Sequence, residues 1–185
     1  MAMADDRRGQ KHRPDRSRLR QPCILLMTAV ALAAILALAL PVAAGSAELV
    51  WNVTPSAPAG LYRIVREPWT RGDRVAVLPG ADLGADLAQR GVLPAGRLLV
   101  KQVAAIPGDR VCRQGEEVSI DGKRVAEARV RDSQGRLMPV WQGCARLTAD
   151  DVFLLGDTAS SYDGRYFGVT PANAIIGRAD LLVAF

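Results

Sequence analysis

Residues 23–44 (CILLMTAVALAAILALALPVAA) run for 22 positions without a charge. As a helix rising 1.5 Å per residue, such a run crosses a hydrocarbon core of about 30 Å. In lipid, only a helix or a closed barrel satisfies every backbone polar group, so the spacing predicts one transmembrane helix over 22–44. The run exceeds the usual signal-peptide apolar region of about 7–15 residues. Ala43, Ala44, Gly45, Ser46 and Ala47 also form a small-residue cleavage site, so removal of the segment as a leader stays open. Ahead of the span, residues 1–20 hold seven Lys/Arg (Arg7, Arg8, Lys11, Arg13, Arg16, Arg18, Arg20) against Asp5, Asp6 and Asp15, which is +4 of the chain's net +5. A positive flank stays on the cytoplasmic side, so residues 45–185 are expected beyond the membrane, with Trp51 as an interfacial aromatic. The expected organisation is a basic cytoplasmic tail (1–21), the span (22–44) and an outer domain (45–185).

Because the positive excess sits in the tail, the outer domain is close to neutral, and nucleic acid is not an expected partner. The outer domain reads as mainly β. LVWNVT (49–54), LYRIVR (61–66), RVAVLP (74–79) and RLLVKQVAAI (97–106) are β-prone runs, RVCRQ (110–114) and EVSIDGKRV (117–125) are two further short strands, and Asp121-Gly122 is a hairpin turn signal. Residues 81–91 (ADLGADLAQRG) form the one helical stretch, with Gly91 as its stop. Residues 126–143 read as a polar surface excursion. Cys112 and Cys144, 32 positions apart, flank it. They are disulfide candidates, worth roughly 3–4 kcal/mol if the compartment is oxidising, or else two buried thiols. With no His and only two Cys, the outer domain offers no zinc site. Arg71-Gly72-Asp73 reads as a chance tripeptide and a turn, and Asn52-Val53-Thr54 as an irrelevant glycosylation sequon.

The lone histidine, His12, lies in the tail, so a Ser-His-Asp or Cys-His arrangement is excluded from the outer domain. Any nucleophile there needs another base. Only Lys11, Lys101 and Lys123 interrupt an otherwise all-arginine positive set. Arginine cannot release its proton in a protein, whereas a desolvated lysine can. Strand alternation puts Lys101 on one face with Leu99, Val103 and Ala105. Burial there makes it a competent general base, and snorkelling to an edge is the plain alternative. Lys123 sits in a solvated turn. Among the outer serines, Ser56 occupies a proline-stiffened loop, Thr54-Pro55-Ser56-Ala57-Pro58-Ala59-Gly60, about a dozen residues past the span. An ordinary serine turn accounts for the same loop.

Three segments together resemble a known family. NVTPSAPAGLYRI (52–64), LVKQVAAIPGDRV (99–111) and GDTASSYDGRYFGVTPANAIIGRA (156–179) match, in order and spacing, the boxes of type I signal peptidases, the S26-like Ser/Lys peptidases. Ser56-Ala57-Pro58-Ala59-Gly60-Leu61-Tyr62 is similar to the conjugative-transfer, TraF-type branch. The resemblance implies a signal-peptidase-like antiparallel β-domain on one membrane helix. It implies Ser56 as nucleophile, Lys101 as base, Thr54 as an oxyanion donor beside the Ser56 N–H, Ser161 as partner of the lysine, and Asp163 and Arg165 as supports. The last box is one residue shorter than usual and carries Gly164 where a second serine is common, so Ser160 and Ser161 both stand as the lysine's partner.

In function, the resemblance implies a bitopic protein of a bacterial inner membrane with a periplasmic catalytic domain and no cofactor or metal. Its substrate would be a membrane-embedded precursor with small residues before the cut, such as a pilin precursor. Its partners would be components of a conjugative pilus or type IV secretion apparatus. Resolution of the acyl-enzyme by water or by the substrate's own amine, which would cyclise it, is open. The competing readings are a general signal peptidase of protein export and a non-catalytic membrane-tethered assembly factor.

Overall fold

A computed structural model describes residues 26–33 and 48–185. The basic tail, most of the expected span and the small residues after it lie outside the described residues. Residues 26–33 are helical (α1) and exposed. Among the described residues, no helix is long and apolar enough to cross a membrane.

The chain divides into two compact units, Met1–Ala44 and Gly45–Phe185. The second is built from eleven strands: β1 (Glu48–Asn52), β2 (Gly60–Val65), β3 (Arg74–Val77), β4 (Leu99–Ala105), β5 (Arg110–Gln114), β6 (Glu117–Ile120), β7 (Lys123–Glu127), β8 (Gly143–Arg146), β9 (Asp151–Leu155), β10 (Thr170–Pro171) and β11 (Ile175–Ala184). Two helices join them, α2 (Ala81–Gln89) and the one-turn α3 (Gly164–Phe167). A seven-stranded sheet runs β1-β2-β11-β3-β4-β9-β10, and a four-stranded sheet runs β7-β6-β5-β8. Every strand pair is antiparallel, as the sequence predicts.

The centre of the large sheet is apolar on both faces. Val75, Ala76 and Val77 of β3, Val103 of β4 and Val152, Phe153 and Leu154 of β9 are all buried. Continuous aliphatic runs fit strands covered on both sides. Each such valine, leucine or phenylalanine contributes roughly 1.5–3 kcal/mol by leaving water. In α2 the i, i+4 pair Leu83 and Leu87 faces this core, and Leu87 is fully buried. The β6–β7 hairpin turns through Asp121 and Gly122, at φ 50° and 80°. That double positive φ is the conformation an Asp-Gly pair supplies.

Residues 126–143 form the expected surface excursion, mostly exposed, and depart from expectation only in two buried anchors. β7 continues to Glu127, and Ala128 and Met138 enter the core beside Leu87 and Tyr166. The segment is anchored by its apolar ends, and its polar middle is pinned by a bridge between Arg131 and Leu137. Cys112 and Cys144 face each other across β5 and β8 and are disulfide-bonded.

Candidate active site

β1 ends at Asn52 and β2 begins at Gly60, and these two residues pair in register. The hairpin therefore closes a loop of residues 53–59 that presents Ser56. Pro55 and Pro58 remove two N–H donors from this loop, so its carbonyls need partners from outside the local backbone. Asn52 supplies them: Nδ2 donates to the carbonyls of Thr54 at 3.0 Å, Ala57 at 3.0 Å and Pro58 at 3.2 Å. Tyr62, fully buried on β2, donates its hydroxyl to the Pro58 carbonyl at 2.8 Å. From the far end of the chain, Asp157 N donates to the Ser56 carbonyl at 2.9 Å. Ser56 itself is buried, and its Oγ lies 2.9 Å from Thr54 Oγ1.

Lys101 sits on β4 opposite Val75 of β3 and is 2% exposed, so it does not snorkel. Its Nζ donates to Ser161 Oγ at 2.8 Å. Burial brings its pKa down from 10.5 to about 8; Asp163 and Asp157 oppose that fall and Arg165 adds to it. A substantial fraction of this lysine is therefore neutral in mildly basic solution, the state a general base requires.

Ser161 is placed by the turn that follows β9. Asp163 is fully buried and caps α3, accepting from Arg165 N at 3.0 Å. The same carboxylate accepts from Gly156 N at 2.7 Å and from Arg165 Nε at 2.8 Å. The Arg165 guanidinium reaches on to the Thr158 carbonyl at 2.6 Å. A buried ion pair with every oxygen engaged holds its surroundings in one geometry. The turn from Gly156 to Asp163 is thereby fixed at both ends. Ser161 is buried within it, whereas Ser160 is exposed and bonds Thr158 at 3.2 Å. The choice between the two serines falls to Ser161.

Two glycines set the clearances. A Cβ on Gly156 would lie 2.0 Å from Ser161 Oγ and 3.1 Å from Ser56 Cβ. Ser56 and Ser161 therefore converge on the bare face of one glycine. A Cβ on Gly164 would lie 2.6 Å from the Leu154 carbonyl and 2.8 Å from the Phe153 ring. Close packing of α3 on β9 explains why no serine occupies that position.

A cleft of about 710 Å³ collects these groups. Its walls are residues 48–56, residues 92–94 and 96–101, and Ser160, Ser161 and Tyr162. All six residues singled out from the sequence meet in this region: Ser56, Lys101, Thr54 and Ser161 line the cleft, and Asp163 and Arg165 stand behind it. Sequence reasoning missed Asn52 and Gly156. The available signal for Asn52 was a carboxamide at the end of a β-run before a loop with two prolines.

The sequence matches the family described as signal peptidase, peptidase S26, over residues 21–184. The chain belongs to that family. Among relatives of this signal peptidase family member, a probable conjugal transfer protein TraF of Sinorhizobium fredii is 39% identical over 145 residues, covering 72% of this chain and 76% of its own length. A conjugal transfer protein TraF of Agrobacterium fabrum is 37% identical over 145 residues, covering 72% and 81%. Signal peptidase I of Bacillus caldolyticus is 32% identical over 92 residues, covering 44% of this chain and 50% of its own. A solved signal peptidase I from Enterococcus faecalis V583 aligns with TM-score 0.36 at 19% identity, covering 64% of this chain and 99% of that one.

Proposed function

We propose that the chain is a Ser–Lys endopeptidase that cuts a precursor protein at the periplasmic face of the inner membrane, in the maturation of a conjugative pilin. The observation that carries this reading is a buried lysine with lowered pKa in the same cleft as a loop-borne serine. The conjugal transfer names of the relatives support a role in conjugation, and the pilin precursor is the substrate proposed within it.

In the reaction, the neutral Lys101 amine takes the Ser56 hydroxyl proton as Oγ attacks the scissile carbonyl carbon. Ser56 Oγ must first turn away from Thr54 Oγ1 and Lys101 must share its bond to Ser161, since these are the contacts at rest. The oxyanion is received by the Ser56 N–H, which has no protein acceptor among the described residues. Lys101 then returns the proton to the leaving amine, and the ester is released by water or by the substrate's own amine.

Two strand edges suit an extended substrate. β1 is the outermost strand of its sheet, and β4 pairs with β9 only from Gln102 onward, leaving the residues before it along the cleft. A peptide entering between them would find main-chain partners on both sides. The test is the intact mass of a co-expressed pilin precursor with wild type, Ser56→Ala and Lys101→Ala. Shortening by wild type alone supports the reading, and a product lighter by one water identifies cyclisation. A precursor processed equally by all three would overturn it.

A further inference from the structure

Asn52 is 7% exposed, and every polar position of its side chain is engaged. Its orientation is unambiguous, because Oδ1 accepts from a backbone N–H, that of Thr54 at 3.3 Å, while Nδ2 faces three carbonyls. Oδ1 also lies 2.8 Å from Thr54 Oγ1. A carboxamide oxygen only accepts, so the single Thr54 hydroxyl proton points at Asn52. The remaining contact, between Thr54 Oγ1 and Ser56 Oγ at 2.9 Å, then takes its proton from Ser56. The direction of the chain is settled from its far end: Ser56 O–H to Thr54 Oγ1, Thr54 O–H to Asn52 Oδ1.

From this we infer that Asn52 is a positioning residue for the nucleophile. Resting on the proposed peptidase reading, its role has two parts. The carboxamide nitrogen splints the carbonyls of the two-proline loop, and the carboxamide oxygen orients Thr54, which in turn holds Ser56 Oγ. Thr54 can donate to an oxyanion only by releasing Asn52 Oδ1, so Asn52 sets how readily that second donor becomes available. The Asn52 side chain, turned to the loop carbonyls and Thr54, touches neither substrate nor Lys101 in this scheme and acts through Thr54.

Hydrogen exchange, which needs no substrate, is measured first. In the full-length chain, Asn52→Ala should speed exchange of the amides in segment 53–60 at least tenfold, with the strands β3, β4 and β9 unchanged. Asn52→Asp, which keeps size and the acceptor but loses the donors, should show the same local loosening and serves if the alanine variant does not fold. Unchanged exchange in a folded variant of either kind overturns the proposal. Turnover of a quenched peptide with alanines at the first and third positions before the cut gives the second readout. Asn52→Ala and Thr54→Val should each lower kcat about tenfold or more with KM within about twofold, and the double variant should be no worse than the poorer single one. Effects that multiply would show that Asn52 does not act through Thr54. If wild type and Ser56→Ala cleave alike, the peptidase reading falls, and the exchange result still decides for Asn52 as the loop's splint.

Discussion

Lys101 and Ser161, 60 positions apart in sequence, meet at 2.8 Å between Nζ and Oγ. The bond is made because β4 carries the lysine inward and the Asp163–Arg165 pair clamps the turn that carries the serine. It engages the lysine at rest, while the neighbouring Ser56 is engaged with Thr54.

If Ser161 orients Lys101, Ser161→Ala should lower kcat by roughly 10–100-fold, at or below the lower end of the about 10²–10⁴-fold that general acid–base catalysis contributes, because the base is misplaced and not removed. Ser160→Ala, at an exposed hydroxyl, should remain within about twofold of wild type. Steady-state kinetics on one substrate separates the two serines, and equal losses would reject the assignment.

The lowered pKa of Lys101 sets a pH dependence. The proposed mechanism requires the neutral amine, so kcat/KM should rise with pH through about 8 and level off above it. A rate profile from pH 6 to 10 measures the limb. A limb near 10.5 would mean that the base is a solvated lysine.

The same burial costs stability. The folded pKa of Lys101 lies below its unfolded value, so between about 8 and 10.5 the folded state binds fewer protons, and stability rises with pH across that window. Below it, the cost of burying the charge is fully present, on the order of 3 kcal/mol. Lys101→Met should therefore be inactive yet more stable than wild type at pH 7, by that amount less about 1 kcal/mol for the lost Ser161 bond. Urea titrations at pH 7 and pH 10.5 check the sign, because the advantage should shrink at the higher pH.

Gly156→Ala should remove activity by at least a hundredfold and lower the melting temperature. The added methyl would displace Ser161 Oγ, 2.0 Å away, and press on Ser56 Cβ. Overpacking of this kind costs roughly 1–3 kcal/mol. A variant with wild-type kinetics would show that the two serines do not share this face.

The disulfide should matter through its neighbour. Arg113, adjacent to Cys112, is 2% exposed and donates to the Arg165 carbonyl at 2.6 Å, while Trp141 Nε1 donates to the Gly164 carbonyl at 2.9 Å. The small sheet thus braces α3. Replacing Cys112 and Cys144 together by serine should cost about 3 kcal/mol. Thermal denaturation reads the loss, and exchange at residues 163–167 should quicken with it. A protected α3 in the reduced protein would uncouple the two.

What the sequence by itself determined was local or set by inventory. Periodicity marks β4 and places Lys101 on an apolar face. The absence of histidine from the outer domain leaves lysine as the candidate base, and two prolines mark the Ser56 loop as stiff. Asp-Gly specifies the β6–β7 turn, because few other pairs tolerate its dihedrals. The tertiary structure decided what depends on approach between distant segments. Ser161 rather than Ser160 faces Lys101, because the clamp at Asp163 fixes the turn's rotation. Gly156 and Gly164 are glycines for lack of space, not for backbone freedom. Asn52 reads as part of a sequon until its side chain is seen to meet three loop carbonyls. Side-chain hydrogen bonds and clearances arise only when β1, β4 and the turn after β9 come together, and no periodicity encodes them.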